Sequence, residues 1–326
     1  MGRVNGVRRR AIVTGAAGFI GSHLSERLVA DGWHVTGIDS FTDYYPRMDK
    51  ESNLASLSRE SAFDLVECDL SVDGWQRALA GSTAVFHLAA QAGVRGSFGE
   101  SFVRYARDNM VATQRVFEGA NTHGVRRVVW ASSSSVYGDA ESHPCREGVT
   151  PTLPRSPYGV TKRACEDLAQ VYRKAGLAIS GLRYFTVYGP RQRPDMAIRR
   201  ICDALVTGES FAVYGDGFQS RDFTYVTDAV DATVRAALAE NPAPVYNVGG
   251  GDEATLSRII ALLENLAGCR LTQERRPAQH GDVRRTSADV SLATSSLGWA
   301  PEVSLPDGLA AQLSWVRGHV LAEEVA

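Results

Sequence analysis

Cysteine is scarce and scattered: Cys68, Cys145, Cys165, Cys202 and Cys269 make an odd number, with no C-x-x-C pair among them. That excludes a disulfide framework and a thiolate metal centre, and it reads as reduced packing thiols in a cytoplasmic protein. Long hydrophobic runs are missing too. No stretch approaches the roughly 20 apolar residues that cross a bilayer, and the basic start, Met1 to Arg10, lacks the apolar core of a signal peptide. Neither sign of charge is in excess: the formal net charge of −2 and a pI near 6.4 give no general field for nucleic acid or a membrane surface. The seven histidines fall at no ligand spacing, so no metal site is expected. Repeats, low-complexity tracts and long linkers are absent as well.

What is present is apolar bulk. With 326 residues, 44% of them hydrophobic, the chain can bury a large core, and its length suggests about two domains. Short apolar runs recur at Ala11 to Val13, Val35 to Ile38, Phe63 to Val66, Ala84 to Leu88, Arg127 to Ala131, Ile179 to Phe185 and Val245 to Val248. Several are continuous rather than alternating, as in strands covered on both faces, and helical patterns lie between them. An α/β fold with a parallel sheet is expected. One helix should cover Phe102 to Asn121, with Val103, Ala106, Met110 and Phe117 on one face. Another should start near Tyr158, after Pro151, Pro154 and Pro157. From Gly189 onward the rhythm loosens, which places the main boundary near residue 185.

The first apolar run leads directly into Thr14-Gly15-Ala16-Ala17-Gly18-Phe19-Ile20-Gly21 and then into a helical pattern. A strand that breaks at glycine and re-forms as a helix leaves backbone N–H groups and the positive helix end free for a pyrophosphate. The second run ends on Asp39, where a carboxylate would take the adenosine ribose hydroxyls and repel a 2′-phosphate. NAD rather than NADP is therefore expected.

Tyr158 and Lys162 stand at i and i+4, on one face of a helix. The ammonium favours the phenolate, which suits the phenol to proton transfer. The strand at Val128 to Trp130 opens into Ser132-Ser133-Ser134-Ser135, at the end of a parallel strand where ligands bind, so these hydroxyls are candidates to clamp a substrate.

Together these stretches resemble the extended short-chain dehydrogenase/reductase family, the NAD-dependent sugar-nucleotide epimerases and dehydratases. The resemblance rests on Thr14 to Gly21, Asp39, Cys68-Asp69-Leu70, His87 to Ala90, Asn109, Ser132 to Gly138, Tyr158 to Lys162, Leu182 to Pro190 and Arg221-Asp222-Phe223. It implies a Rossmann-type doubly wound parallel sheet with a smaller C-terminal α/β substrate-binding domain. The cofactor domain would take residues 1–185, with about 222–250 returning to it, and the sugar-nucleotide domain 186–221 and 251–326. It further implies Tyr158 as base, Lys162 as its tuner and a ribose contact, and Ser133 as partner to the reacting hydroxyl. NAD would meet Gly15, Gly18, Phe19, Ile20, Gly21, Asp39, Ser40, Asp69, Leu70, Leu88, Ala89, Ala90 and Asn109. The substrate would meet Ser133, Ser134, Ser135, Thr186, Arg193, Arg221, Asp282 and Tyr214. For Tyr214 a core position is an equal alternative, for Arg193 a surface or phosphate-binding one, and for Asn109 a structural or exposed one.

Dehydratases of the family carry Asp-Glu where this chain has Ser134-Ser135, and decarboxylases keep the Glu, so 4-epimerisation remains. The stretch Phe185 to Met196 resembles the F-T-V-Y-G-P-x-x-R-P-D-M signature of the UDP-glucuronate 4-epimerase subgroup, as do Asp43-Tyr44-Tyr45 and Gln279 to Val283. Hexose 4-epimerases usually have Asn in place of Thr186. A guanidinium and a hydroxyl suit a carboxylate. The departure is Arg191, where the subgroup often has Trp. The expected substrate is thus a UDP-sugar, UDP-glucuronate before UDP-glucose/UDP-galactose, in a homodimeric enzyme. A 4-ketoreductase and a non-catalytic NAD-binding regulator are the other readings.

Overall fold

The computed structural model describes residues 3–4, 7–72, 74–277, 281 and 283–323. All seven apolar runs form strands: β1 (Arg10–Thr14), β2 (His34–Asp39), β3 (Phe63–Glu67), β4 (Ala84–His87), β5 (Arg127–Ser133), β6 (Ile179–Tyr184) and, after a short excursion, β10 (Val245–Val248). They build one parallel sheet in the order β10-β6-β5-β4-β1-β2-β3. The order reverses between β1 and β4, so the crevice of a doubly wound sheet opens at their carboxyl ends.

Strand periodicity divides the core. Ala11 and Val13 point to one face, where they meet α1 (Phe19–Ala30) and α6 (Val226–Leu238); Ile12 points to the other, with Val85, Val128 and the helices before and after β5. The first of these, α3, covers 102–122 and has a π-helical stretch at Ala106–Val111. The extra residue in that turn rotates the helix, so the expected apolar face is buried only in part: Phe117 lies in the core with Met110 packed against it, but the N-terminal end of the face turns outward. Val103 is exposed, whereas Tyr105, Asn109, Ala112, Val116 and Phe117 face inward. The second, α4 (Pro157–Lys174), starts on a proline that needs no N–H partner, and the Ser156 hydroxyl caps it by accepting from Gly159 N–H at 3.0 Å.

The chain leaves the large sheet after Tyr184. A three-stranded sheet, β11-β9-β7, follows from β7 (Thr186–Tyr188), β9 (Ser220–Tyr225) and β11 (Asp252–Thr255), beside a parallel pair of β8 (Ser210–Tyr214) and β12 (Thr272–Arg276). Around them α5 (Ala197–Thr207), α7 (Leu256–Ala267) and α9 (Leu305–Glu323) enclose a separate cluster that includes Ile201, Leu263 and Leu309. Ala293 and Leu297 of α8 (Ser291–Leu297), with Trp299, pack instead into the larger core beside α6. Among the described residues no helix is long and apolar enough to cross a membrane.

Candidate active site

A cavity of about 710 Å³ runs along the carboxyl ends of β1 to β6. At one end lies the glycine turn. Gly15 has φ +69°, and a Cβ there would stand 2.8 Å from Ala89 N; one on Gly21 would stand 2.0 Å from the Gly15 carbonyl oxygen. Only glycine lets this strand and helix come so close. Behind the turn the Thr14 hydroxyl accepts from the Leu88 and Ala89 N–H groups, both at 3.2 Å, so its own proton goes to His87 Nδ1 at 2.7 Å. His87 Nε2 then donates to Thr113 Oγ1 at 2.9 Å. Burial, with Lys162 nearby, pushes the imidazole down to about 3, and it stays neutral.

Asp39 ends β2 at the cavity wall. Its two carboxylate oxygens accept from Ala17 N–H (3.1 Å) and Phe41 N–H (2.9 Å), yet burial still raises its pKa above the ordinary carboxylate value. Lys50, itself buried on α2 (Arg47–Asn53), donates to the Thr42 carbonyl at 2.6 Å and organises the segment that follows Asp39.

At the middle of the cavity α4 presents Tyr158 and Lys162. The Lys162 ammonium donates to the Ala131 carbonyl at 2.8 Å, and its nitrogen lies 5.9 Å from the centre of the Tyr158 ring. Tyr105 meets that ring edge to face, with centroids 6.3 Å apart. Ser133 ends β5, its hydroxyl accepting from Ser135 N–H at 3.1 Å. A buried ion pair sits beneath: Arg183 of β6 donates to both oxygens of Glu166 on α4 at 2.8 and 2.7 Å, and Ser132 donates to the same carboxylate at 2.7 Å. Arg183 also reaches the Tyr137 hydroxyl, which donates to Asn247 of β10.

The far end is formed by Thr186, Arg193 and Met196. Arg193 donates through Nε and Nη2 to the two oxygens of Asp195, at 2.9 and 3.0 Å, and the Tyr44 hydroxyl donates to that carboxylate at 3.1 Å. Burial would push the Asp195 carboxyl up, but Arg193 and Tyr44 outweigh it and hold it below the ordinary value. Arg191, with φ +65°, turns the other way. It forms a two-point pair with Glu26 on α1, at 3.0 and 2.8 Å, and reaches Ser22.

Residues 11–249 match the NAD dependent epimerase/dehydratase family. The chain belongs to this family. It is 36% identical over 314 residues to the UDP-glucuronate 4-epimerase of Thermodesulfobacterium geofontis (strain OPF15), covering 95% of this chain and 96% of that protein. It is 40% identical over 311 residues to a Bacillus subtilis (strain 168) protein named uncharacterized UDP-glucose epimerase YtcB, covering 94% and 98%. UDP-glucuronic acid 4-epimerase from Bacillus cereus, solved with UDP-glucuronic acid and NAD, aligns with a TM-score of 0.92 at 39% identity, over 95% of this chain and 99% of that one.

As a member of the NAD-dependent epimerase/dehydratase family, the chain is suited to its cofactor by the glycine turn, whose close strand–helix approach leaves no room for a Cβ at Gly15 or Gly21, and by the Asp39 carboxylate at the cavity wall. Gly15, Gly18, Phe19, Ile20, Gly21, Asp39, Ser40, Asp69, Leu70, Leu88, Ala89, Ala90, Ser133, Ser134, Ser135, Tyr158, Lys162, Thr186 and Arg193 all line this one cavity.

Three expected residues do not line it. Asn109, buried by the π turn, spends its amide on the Gln91 backbone (2.7 and 3.1 Å) and on Thr161 Oγ1 (3.0 Å), so it shapes the wall from behind. Tyr214 ends β8 with the Arg95 guanidinium 4.6 Å above its ring. Arg221 donates to the Ser220 carbonyl at 2.8 Å. Asp282, with Gln279 and His280, lies outside the described residues. Sequence reasoning missed Lys50, the Glu166–Arg183 pair and the Arg191–Glu26 clasp. For Glu166 a signal existed, a carboxylate one turn beyond Lys162 on the same helix face. For the other two the partners are joined only by the fold.

Proposed function

We propose that this protein is a 4-epimerase that interconverts UDP-glucuronate and UDP-galacturonate. The observation that carries the reading is Arg193: a guanidinium and the Thr186 hydroxyl line the same cavity as Ser133, Tyr158 and Lys162. A forked cation near the reacting centre suits a hexuronate carboxylate, which a hydroxymethyl group would not require. The named activities of the T. geofontis and B. cereus relatives support it.

In this reading Tyr158 takes the proton of the sugar C4 hydroxyl and later returns one to the C4 oxygen. Ser133 shares the hydrogen bond to that oxygen, and Lys162, fixed on the Ala131 carbonyl, holds positive charge beside the phenol. NAD, when bound, supplies the acceptor and then the donor of the C4 hydride. Gly15, Gly18, Phe19, Ile20, Gly21, Asp39, Ser40, Asp69, Leu70, Leu88, Ala89 and Ala90 would hold it, while Ser134 and Ser135 would meet the sugar. Arg221 and Tyr214, which do not line the cavity described, would bind the nucleotide end of the substrate beyond it. We further assign residues 1–185 with about 222–250 to the cofactor and the rest to the substrate, in a cytoplasmic homodimer. The second reading, a neutral UDP-hexose, draws on Arg193 already holding one carboxylate, that of Asp195.

The purified protein, given UDP-glucuronate and no added NAD, is expected to form UDP-galacturonate, followed by proton NMR, because the hydride is returned and the cofactor need not be released. Tyr158→Phe is the control, expected to lose at least about 10²-fold in turnover with its NAD content unchanged. Turnover of UDP-glucose alone would establish the second reading, and no product from either sugar would reject both.

A further inference from the structure

The loop 189–196 is tied to the cofactor half of the molecule on both sides of Arg193. Arg191 grips Glu26 and Ser22 of α1, and Asp195 grips Tyr44, in the segment that follows β2. Between these two clasps the Arg193 side chain is itself held. Its pairing with Asp195 is side-on, using Nε and Nη2, each within 3.0 Å of a carboxylate oxygen. A guanidinium has a second pairing edge, end-on, made of Nη1 and the remaining Nη2 hydrogen. Arg193 lines the cavity, but Asp195 does not. The carboxylate therefore holds the arginine from outside, leaving the end-on edge for an acceptor within. The Tyr44 ring, with its centroid 5.8 Å from the Arg193 Cζ, limits rotation of the fork.

We propose that Asp195 is a positioning residue that, anchored by Tyr44, aims the end-on edge of Arg193 at the substrate carboxylate and keeps that carboxylate gripped while C4 is a ketone. The proposal rests on the UDP-hexuronate reading above. A 4-keto hexuronate is a β-keto acid. If its carboxylate turns perpendicular to the ketone plane, the C5–carboxylate bond can break, and the electron pair of that bond passes into an enolate across C4 and C5. Carbon dioxide leaves, a proton is taken up at C5, and the 4-keto pentose so formed becomes a UDP-pentose when C4 receives the hydride back, which restores the oxidised cofactor. A well-aimed arginine guards against this loss by orientation, and a loosely held one would bind the acid more weakly and leak pentose.

Asp195→Asn tests the idea with little change of shape. An amide offers one acceptor and one donor group, so it cannot take both Nε–H and Nη2–H, and the fork is released. Affinity is read by calorimetry in the Tyr158→Phe background, which prevents turnover. There Asp195→Asn is expected to weaken UDP-glucuronate at least about tenfold while UDP-glucose changes by less than about twofold. With Tyr158 intact, Asp195→Asn should release a UDP-pentose beside the epimer, detected by mass spectrometry, with bound NAD at the parent level. Tyr44→Phe, which removes one hydrogen bond to Asp195, should shift both readouts in the same direction by a smaller factor, and it serves if Asp195→Asn does not fold.

Equal weakening of both nucleotides, or no pentose from Asp195→Asn when the parent enzyme does epimerise UDP-glucuronate, would overturn the role of Asp195 alone. A parent enzyme that turns over UDP-glucose but not UDP-glucuronate would remove the hexuronate reading and this proposal together.

Discussion

His87 shows what a single buried side chain can determine. Its imidazole is neutral in the folded protein, with Nδ1 accepting from Thr14 and Nε2 donating to Thr113, and protonation would put a hydrogen where Thr14 already supplies one. Its value falls from 6.5 to about 3 on folding. The unfolded chain therefore binds the extra proton between those limits, and stability should fall as pH drops through that window, by up to about 1.4 kcal/mol per pH unit from this group, with no effect above it. Urea unfolding at pH 5 and pH 7.5 should show a smaller difference in His87→Gln than in the parent. An equal difference would mean that other groups carry the acid sensitivity. The position of His87 at a strand end was legible in the sequence. Its role as the support behind Leu88 and Ala89 was not, because Thr14 and Thr113 become its neighbours only when β1, β4 and α3 pack. The glycine turn, Asp39, Ser133 and the Tyr158/Lys162 pair could be read because each relies on neighbours a few residues away or on a strand end.

At the scale of elements, the Glu166–Arg183 pair joins α4 to β6, and Ser132 adds β5 to the same carboxylate. Both side chains are nearly buried, so neither charge has water to fall back on. Replacing one partner leaves the other buried and unpaired, which typically costs about 3–5 kcal/mol, whereas replacing both with apolar residues costs much less. Glu166→Gln should thus lower the denaturation midpoint strongly, and Glu166→Leu with Arg183→Met should recover most of it. Similar losses in the single and double variants would show that packing, not charge, dominates. All seven strands of the large sheet were legible because each is a short apolar run. The π turn was not. It depends on Asn109 being drawn in to the Gln91 backbone, a contact between segments that no helical periodicity records, and so the expected apolar face of α3 came out wrong at Val103.

For the whole molecule, Val103 and Val111 on α3 and Val160 and Val171 on α4 stand exposed, on neighbouring helices of one side. Apolar side chains displayed on two adjacent helices favour a self-complementary two-fold contact, and we expect a homodimer. Light scattering should give about twice the monomer mass at working concentration, and Val160→Lys with Val171→Lys should shift it toward one chain. A monomeric parent would reject the assembly. The continuous cavity has a consequence of another kind. Because the glycine turn and Arg193 belong to one enclosure, reducing equivalents taken from the proposed substrate are given back within it. The redox poise of the surroundings then has no hold on the direction of the reaction. On the proposed chemistry the final ratio of the two sugars would reflect only the free-energy difference between an equatorial and an axial hydroxyl at C4, and net flow would have to come from whatever step consumes the product.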